Sequence, residues 1–325
     1  MGLGSALVDI LVNESDDFVR RIGVEKGGMT LVDISAIEDI LTQVSTKPAV
    51  VPGGSACNTA VGVGRLGGKA RFVGKRGDDD LGRFFNHALV ERGVDPQLMT
   101  SSLPTGRVLS IITPDAQRTM LTYLGASADT QPEEITPAYF ADSAVVHIEG
   151  YLLFNPDLML ASLKAAKSAG ALISLDLASF TVVEQSKSVL DDIIHEYVDI
   201  LIANEDEAQA YTGFSIETKA LERLSRHVDV AALKVGAKGS YIQNSTGVCR
   251  IAAIGTGKAV DTTGAGDLWA SGFLYGLVSG FTHEMSGALA SACGYEVCQV
   301  VGADIPDDGW TRIKGKLEAE WPKGQ

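Results

Sequence analysis

DTTGAGD, residues 261–267, places two glycines and two carboxylates between the strand-like stretch VCRIAAIGTGKAV and the helical run LWASGFLYGLVSG. Glycines at the start of a helix let successive backbone N–H groups converge on one point, where the helix dipole adds partial positive charge. That arrangement is an anion hole that needs no basic side chain. Asp267, on the first turn, then holds a carboxylate beside the bound anion. Two negative groups side by side make chemical sense if the carboxylate takes a proton from a hydroxyl attacking phosphorus. A plainer reading makes Asp267 a helix cap and Gly264 and Gly266 turn residues. It explains Asp267 alone equally well, but not the seven residues together.

Three more stretches could carry chemistry. In PGGSACN (52–58), Gly53 and Gly54 permit close approach of a ligand, and Asn58 offers a donor and an acceptor one turn into a helix of small residues. In NEDE (204–207), Asn204 and Glu207 follow the strand VDILIA, at the carboxyl end where open α/β folds place ligands. A carboxylate there can orient waters around Mg²⁺. The same letters fit a capping pattern, with Asn204 as N-cap and Glu207 reaching back to it. KVGAKGS (234–240) turns between two strands, and Gly236 and Gly239 could pass backbone beside a phosphate. GVGRLG (62–67) spells a dinucleotide fingerprint, but a helix precedes it and the strand KARFVGK follows, which is the reverse of that motif's context. C-capping accounts for its glycines. There is no GxxxxGK[ST] phosphate loop, and the five histidines form no ligand cluster.

These residues need a scaffold, and the pattern from about residue 140 supplies one. SAVVHIEG, ALISLDL, VDILIAN, DVAALKVG and KGSYIQN read as strands, and PDLMLASLKAAKSAG, SVLDDIIHEY and EDEAQAYTG as helices between them. Nearly continuous apolar strands are expected where helices cover both faces of a parallel sheet, so the pattern predicts a doubly wound α/β sandwich. Residues 12–45 and 104–126 break the rhythm, with strand signals but no evident covering helix. RVLSIIT and RTMLTYL, separated by PDAQ, predict a hairpin and with it a small β-lid over the sheet.

Bulk properties narrow the partners. The 325 residues carry 41 acidic against 27 basic side chains, a net charge of −14, which repels nucleic-acid phosphates and anionic lipid heads. Neither nucleic acid nor membrane is expected as a partner. Cys57, Cys249, Cys293 and Cys298 show no metal spacing and suit a reducing cytoplasm, with Cys293 and Cys298 expected as inert thiols in an apolar helix. MGLGSALVDILV lacks a basic n-region and is interrupted by Asp9, so it reads as a first strand.

In their order and spacing, Asp9 in ALVDIL, GGSACN, NEDE, KVGAKGS and DTTGAGD resemble the ribokinase-like (PfkB) family of sugar and nucleoside kinases over nearly the full length. The resemblance implies a ribokinase-like three-layer α/β/α sandwich with a small β-sheet lid, as one domain over residues 1–325, and phosphoryl transfer from MgATP to a hydroxymethyl group. It makes Asp267 the general base, with the N–H groups of Gly264, Ala265 and Gly266 around the phosphoryl. It places Asp9, Gly53, Gly54 and Asn58 on the acceptor's hydroxyls. Asn204 and Glu207 would order Mg²⁺, and Lys234, Gly236 and Gly239 would line the ATP site. Asp261, Thr263, Val300 and Gly302 would hold a monovalent cation such as K⁺.

Within that family SALVDIL, RTMLTYLGAS, HIEGYLL and VDILIANEDEA look most like adenosine kinases, which puts Met120, Leu124, Tyr151 and Leu152 against the acceptor's base. Two residues depart from that pattern. Glu149 stands where a small neutral residue is expected, and could reject a purine or bind an extra hydroxyl; Tyr151 replaces a phenylalanine. A sugar acceptor, a non-catalytic binding relative, and either a monomer or a homodimer stay open at this point.

Overall fold

The uninterrupted apolar strands do build a sheet with helices on both sides. The computed structural model describes residues 1–115, 117–255 and 258–320. Its main sheet has nine strands, here numbered in chain order: β14 (Gly247–Ile251), β13 (Ser240–Asn244), β12 (Val230–Lys234), β11 (Ile200–Asn204), β10 (Leu172–Asp176), β9 (Val145–Glu149), β1 (Gly2–Leu3), β5 (Ala70–Gly77) and β6 (Val94–Ser101). Neighbours from β12 to β6 are parallel, and β13 and β14 are antiparallel at one edge.

Side chains alternate across a strand, so β11 sends Leu201 and Ala203 to one face and Ile200 and Ile202 to the other. The first face meets α5 (Pro156–Ser168), α6 (Phe180–Tyr197), α7 (Glu205–Thr212) and α8 (Glu217–Leu224). The second meets α3 (Ser55–Arg65), α4 (Asp80–Glu91), α9 (Ala265–Val278) and α10 (His283–Val297), with α11 (Asp307–Glu320) packed outside α10. Burial of both faces is why these strands lack the polar alternation of a half-exposed sheet. On α10, Cys293 is buried and its thiol is pushed up to about 12 by desolvation, the inert state expected of it. Among the described residues no helix is long and apolar enough to cross a membrane.

The lid is a second sheet of five strands: β3 (Met29–Leu31), β8 (Arg118–Tyr123), β7 (Gly106–Ile112), β2 (Leu7–Asn13) and β4 (Ala49–Gly53). The expected hairpin is β7–β8, in register from Arg107↔Tyr123 to Ile112↔Arg118; Ala116 of its connection lies outside the described residues. The absence of a covering helix in 12–45 is corrected. Two short helices, α1 (Asp16–Arg21) and α2 (Ile34–Leu41), press Phe18, Val19 and Ile37 onto Ile10, Leu109, Ile111 and Leu121. Six and eight residues are too few turns for a legible periodicity. The caps were the available signal, since Ser15 accepts from the Phe18 N–H, with Asp16 and Asp17 in the first turn and Arg20 and Arg21 in the last.

DTTGAGD does not sit at a strand–helix junction either. β14 ends at Ile251, Gly255 has a positive φ (83°), and α9 begins only at Ala265.

Candidate active site

Where β1 passes into β2, the chain leaves the main sheet for the lid, and between the two sheets lies a cleft of about 660 Å³. Helices α3 and α9 both aim their N-termini into it. Gly264 is the N-cap of α9 in the left-handed conformation (φ 70°), a geometry glycine adopts without strain. A Cβ there would lie 2.5 Å from the Ala303 Cβ. The first-turn N–H groups of Gly266 and Asp267 have no carbonyl partner inside the helix, whereas the Ala265 N–H donates to the Thr262 carbonyl at 3.1 Å.

Asp267 is held by both helices. Its Oδ1 accepts from the Ser55 hydroxyl at 2.8 Å and its Oδ2 from the Asn58 amide at 2.9 Å, while the Thr59 hydroxyl donates to its backbone carbonyl. Burial raises the Asp267 carboxyl, partly offset by those two donors. A desolvated carboxylate aimed at an anion hole is a stronger proton acceptor than one in water. Ser55 was not singled out by sequence reasoning, although it lies inside GGSACN.

Asp9 faces the same cleft from the lid strand β2, and is 8% exposed. A Cβ on Gly53, across the β2–β4 ladder, would overlap its carboxylate, so the glycine makes room for the acid. Burial pushes Asp9 up to about 6, moderated by Arg118 and reinforced by Asp267. Arg118, at the start of β8, also escaped the sequence reading. Its signal was a cation opening a lid strand whose other cleft-facing side chains, Met120 and Thr122, are uncharged. Met120, Leu124, Tyr151 and Leu152 all line the cleft.

Glu149 does something else. Its Oε1 accepts from the Ser5 N–H at 2.8 Å and its Oε2 from the Ala56 N–H at 3.0 Å, at 1% exposure. It thus caps α3, whose own N-cap, Gly54, has no side chain to do so. Burial raises its carboxyl from 4.5 to about 6, so the folded state holds the proton more tightly than the unfolded chain. The stability from protonation is fully present below 4.5 and is lost as pH rises through 6. Relative to a Glu149→Gln variant, wild type should lose about 2 kcal/mol in urea melts between about pH 4.5 and about pH 7.5. Parallel curves would refute the buried cap.

On the other flank, three strand ends align. Asp176 closes β10, Asn204 closes β11 and Lys234 closes β12, with Asn204 opposite Lys234 in register. Asn204 and Glu207 form the capping box: the Asn204 side chain accepts from the Glu207 N–H at 2.9 Å, and Glu207 accepts from the Asn204 N–H at 2.8 Å and its amide at 2.7 Å. Burial, with help from Asp176, pushes Glu207 up to about 7. Lys234 Nζ donates to Asp176 Oδ2 at 2.8 Å. Burial alone would raise Asp176, but that ammonium holds it below the usual carboxylate range. Asp176, a carboxylate ending the apolar run LISL, was overlooked in the sequence.

Gly236 (φ 52°) and Gly239 (φ 99°) shape the turn after β12, beside a second pocket of about 540 Å³ that includes Lys238 and Arg250. Cations there, the α9 N-terminus and the oxygens of Asn204 and Glu207 suit a nucleotide triphosphate and Mg²⁺. Among the described residues no three His, Cys, Asp or Glu form a ready-made metal cluster. Mg²⁺ bound largely through phosphates and water needs none.

Of the four residues expected at a monovalent cation, three meet. Asp261 Oδ1 accepts from the Thr263 N–H and hydroxyl, and Oδ2 from the Gly302 N–H at 2.8 Å. Val300 follows the end of α10 two residues before Gly302, and its N–H donates to the Val297 carbonyl.

Comparison with known proteins gives the family and the fold. The model of the pfkB family carbohydrate kinases matches residues 23–309. The 5-dehydro-2-deoxygluconokinase of Bacillus subtilis (strain 168) is 31% identical over 269 residues, covering 78% of this chain and 82% of its own. The crystal structure of adenosine kinase from Sinorhizobium meliloti aligns with a TM-score of 0.88 at 33% identity, covering 97% of this chain and 98% of that one. A probable sugar kinase from Rhizobium etli CFN 42 aligns with a TM-score of 0.89 at 32% identity, covering 98% and 97%. The chain therefore belongs to the pfkB carbohydrate kinase family, and it is a kinase with the ribokinase-like fold.

Proposed function

We propose that this kinase moves the γ-phosphoryl of MgATP to a primary hydroxyl of a nucleoside, with adenosine the best fit. The observation that carries the reading is the apolar and aromatic set Met120, Leu124, Tyr151 and Leu152 lining the same cleft as Asp9. Such a lining suits stacking on a purine, whereas a free sugar calls for more hydrogen bonds. Asp9 and Asn58 would bind ribose hydroxyls, and Asp267 would take the proton of the attacking hydroxyl. The α9 N-terminus would stabilise the equatorial oxygens of the phosphoryl, and lid closure would exclude water. Bound Mg²⁺, held by way of Asn204 and Glu207, would neutralise phosphate charge. A monovalent cation at Asp261 would act on the same loop from behind. We take the chain as one catalytic unit working in the cytoplasm, as a monomer or a homodimer formed over the exposed lid residues Met29, Leu31 and Val50.

One observation favours a second reading, a sugar-acid acceptor. Arg118 puts a cation beside Asp9 in the acceptor half, and a guanidinium is well made for a carboxylate. ADP release by purified protein with MgATP decides between them, measured across adenosine, other nucleosides, ribose, fructose and 5-dehydro-2-deoxygluconate. Turnover confined to adenosine is the expected result. Turnover confined to a sugar or sugar acid would overturn the nucleoside reading and keep the kinase.

A further inference from the structure

We propose that Lys234 supplies the side-chain cation for the phosphoryl group in flight, and that Asp176 is the positioning residue that aims it. This rests on the kinase reading above and adds a role to each residue.

The first observation is proximity. Beyond its chain neighbours and its own helix backbone, the one described atom within 4 Å of a Cβ built on Gly266 is the Lys234 Nζ, at 3.0 Å. The ammonium thus lies against the first turn of α9, on the side that faces the anion hole. The second is charge. Among the described residues that line the cleft, the carboxylates are Asp9, Glu149, Asp176, Glu207 and Asp267, and the only Lys or Arg side chains are Arg118 and Lys234. Glu149 is spent on capping and Arg118 sits on the lid beside Asp9. Lys238 and Arg250 belong to the neighbouring pocket, so the transferring end of a triphosphate inside the cleft needs a positive group there, and Lys234 is the one among the described lining residues on that side.

The third observation concerns backbone strain. Ala178 adopts φ 64°, one of two non-glycine residues in the left-handed region among those described. That conformation costs about 1–2 kcal/mol for an L-residue with a Cβ. Its N–H donates to Asp176 Oδ1 at 2.9 Å, which leaves Oδ2 for Lys234. Strain retained beside a cleft, on the loop that orients a buried carboxylate, is what positioning predicts. An ion pair serving stability alone would gain nothing from it, because a buried pair is poor at stabilising a fold.

In the transfer, the acceptor oxygen forms a bond to the γ-phosphorus as the bond from that phosphorus to the bridging oxygen breaks. ADP leaves with the bridging oxygen, and the acceptor's proton passes to Asp267. Lys234 keeps its three protons throughout. One stays on Asp176, and the others reach the non-bridging oxygens, whose contacts tighten in the transition state.

The test compares Lys234→Met, Asp176→Asn and the double variant with wild type. Lys234→Met should lower kcat by about 10²–10³ while the acceptor KM changes little. Binding of MgADP with aluminium fluoride, a mimic of the planar phosphoryl, should weaken by about the same factor, and binding of MgADP alone should barely move. Lys234→Met leaves Asp176 buried without its counter-charge and could fail to fold. The double variant removes both charges, and should melt cooperatively yet remain as slow. Asp176→Asn should cost kcat roughly tenfold or more through misplacement of the ammonium, with the acceptor KM unchanged. A folded double variant with kcat within about threefold of wild type would overturn the proposal. The aluminium fluoride measurement needs no acceptor. If wild type phosphorylates nothing in the panel, the acceptor reading fails, while equal analogue binding by wild type and the double variant sinks the Lys234 role separately.

Discussion

Asp267→Asn is expected to stop turnover while making the protein more stable, two effects of opposite sign from one side chain. Asparagine has nearly the shape of aspartate. Its oxygen can accept from the Asn58 amide, and its own amide can donate to the Ser55 hydroxyl, so both bonds that hold residue 267 survive. What disappears is the capacity to take a proton from the acceptor, a contribution of about 10²–10⁴ in rate. What also disappears is the cost of holding a charge there. Burial raises the Asp267 carboxyl, so holding its charged form in the fold carries a desolvation cost, and the neutral amide relieves that. Three measurements check this: kcat by ADP release, MgADP affinity by calorimetry, and the melting temperature. Affinity should stay within a few-fold and the melt should rise. A variant keeping more than about a tenth of wild-type kcat would remove Asp267 from the role of base.

Gly54→Ala should damage fold and activity together. Gly54 adopts φ 96°, outside what an L-side chain tolerates, and a Cβ there would overlap the Ser5 carbonyl oxygen. Ser5 cannot simply retreat, because its N–H is held by Glu149, and Glu149 in turn caps α3 through Ala56. A shift at Ser5 therefore propagates to the N-terminus of α3, and from there to Ser55 and Asn58 on Asp267. We expect a loss of about 3 kcal/mol from strain and collision combined, with kcat reduced to near the detection limit. Gly170→Ala is the matched control. It also has a positive φ (76°), but among the described residues nothing beyond its chain neighbours lies within 4 Å of its Cβ position, and it precedes β10 at the end away from Asp176, outside the cleft lining. That variant should lose only about 1 kcal/mol and keep its activity. Equal damage from the two would mean that strain alone matters, and that the contact with Ser5 does not.

Much of this protein is legible in its chain of letters. The strands around β10, β11 and β12 announce themselves because a strand buried on both faces must be apolar throughout, whatever surrounds it. The helix α9 announces itself for a related reason: glycines free the backbone to turn into a helix start, and the apolar run behind them has to be buried. The capping box at Asn204 and Glu207 is local and is one of the two readings its letters allow; in the structure it coexists with a place on the cleft wall. By contrast, α1 and α2 escape the eye because six and eight residues bury too little to imprint a period.

Asp176, Arg118 and Ser55 escape it for a different reason. Each is an ordinary polar residue in its own segment, and each matters only through a partner far away in sequence: Lys234, Asp9 and Asp267 respectively. Glu149 shows the limit most clearly. From its letters alone the carboxylate could face a ligand; in the fold one oxygen accepts from Ala56, a helix-start donor that the N-cap Gly54 leaves for another residue to satisfy, and the other from Ser5 on the β1–β2 connection. The sheet, the helix that carries Asp267, and the family of chemistry were all dictated locally, by interactions within a few residues or by burial alone. Which carboxylate caps, which one is ion-paired and which one is held at the start of α9 was settled only when the chain folded, since those roles are set by donors far apart along it.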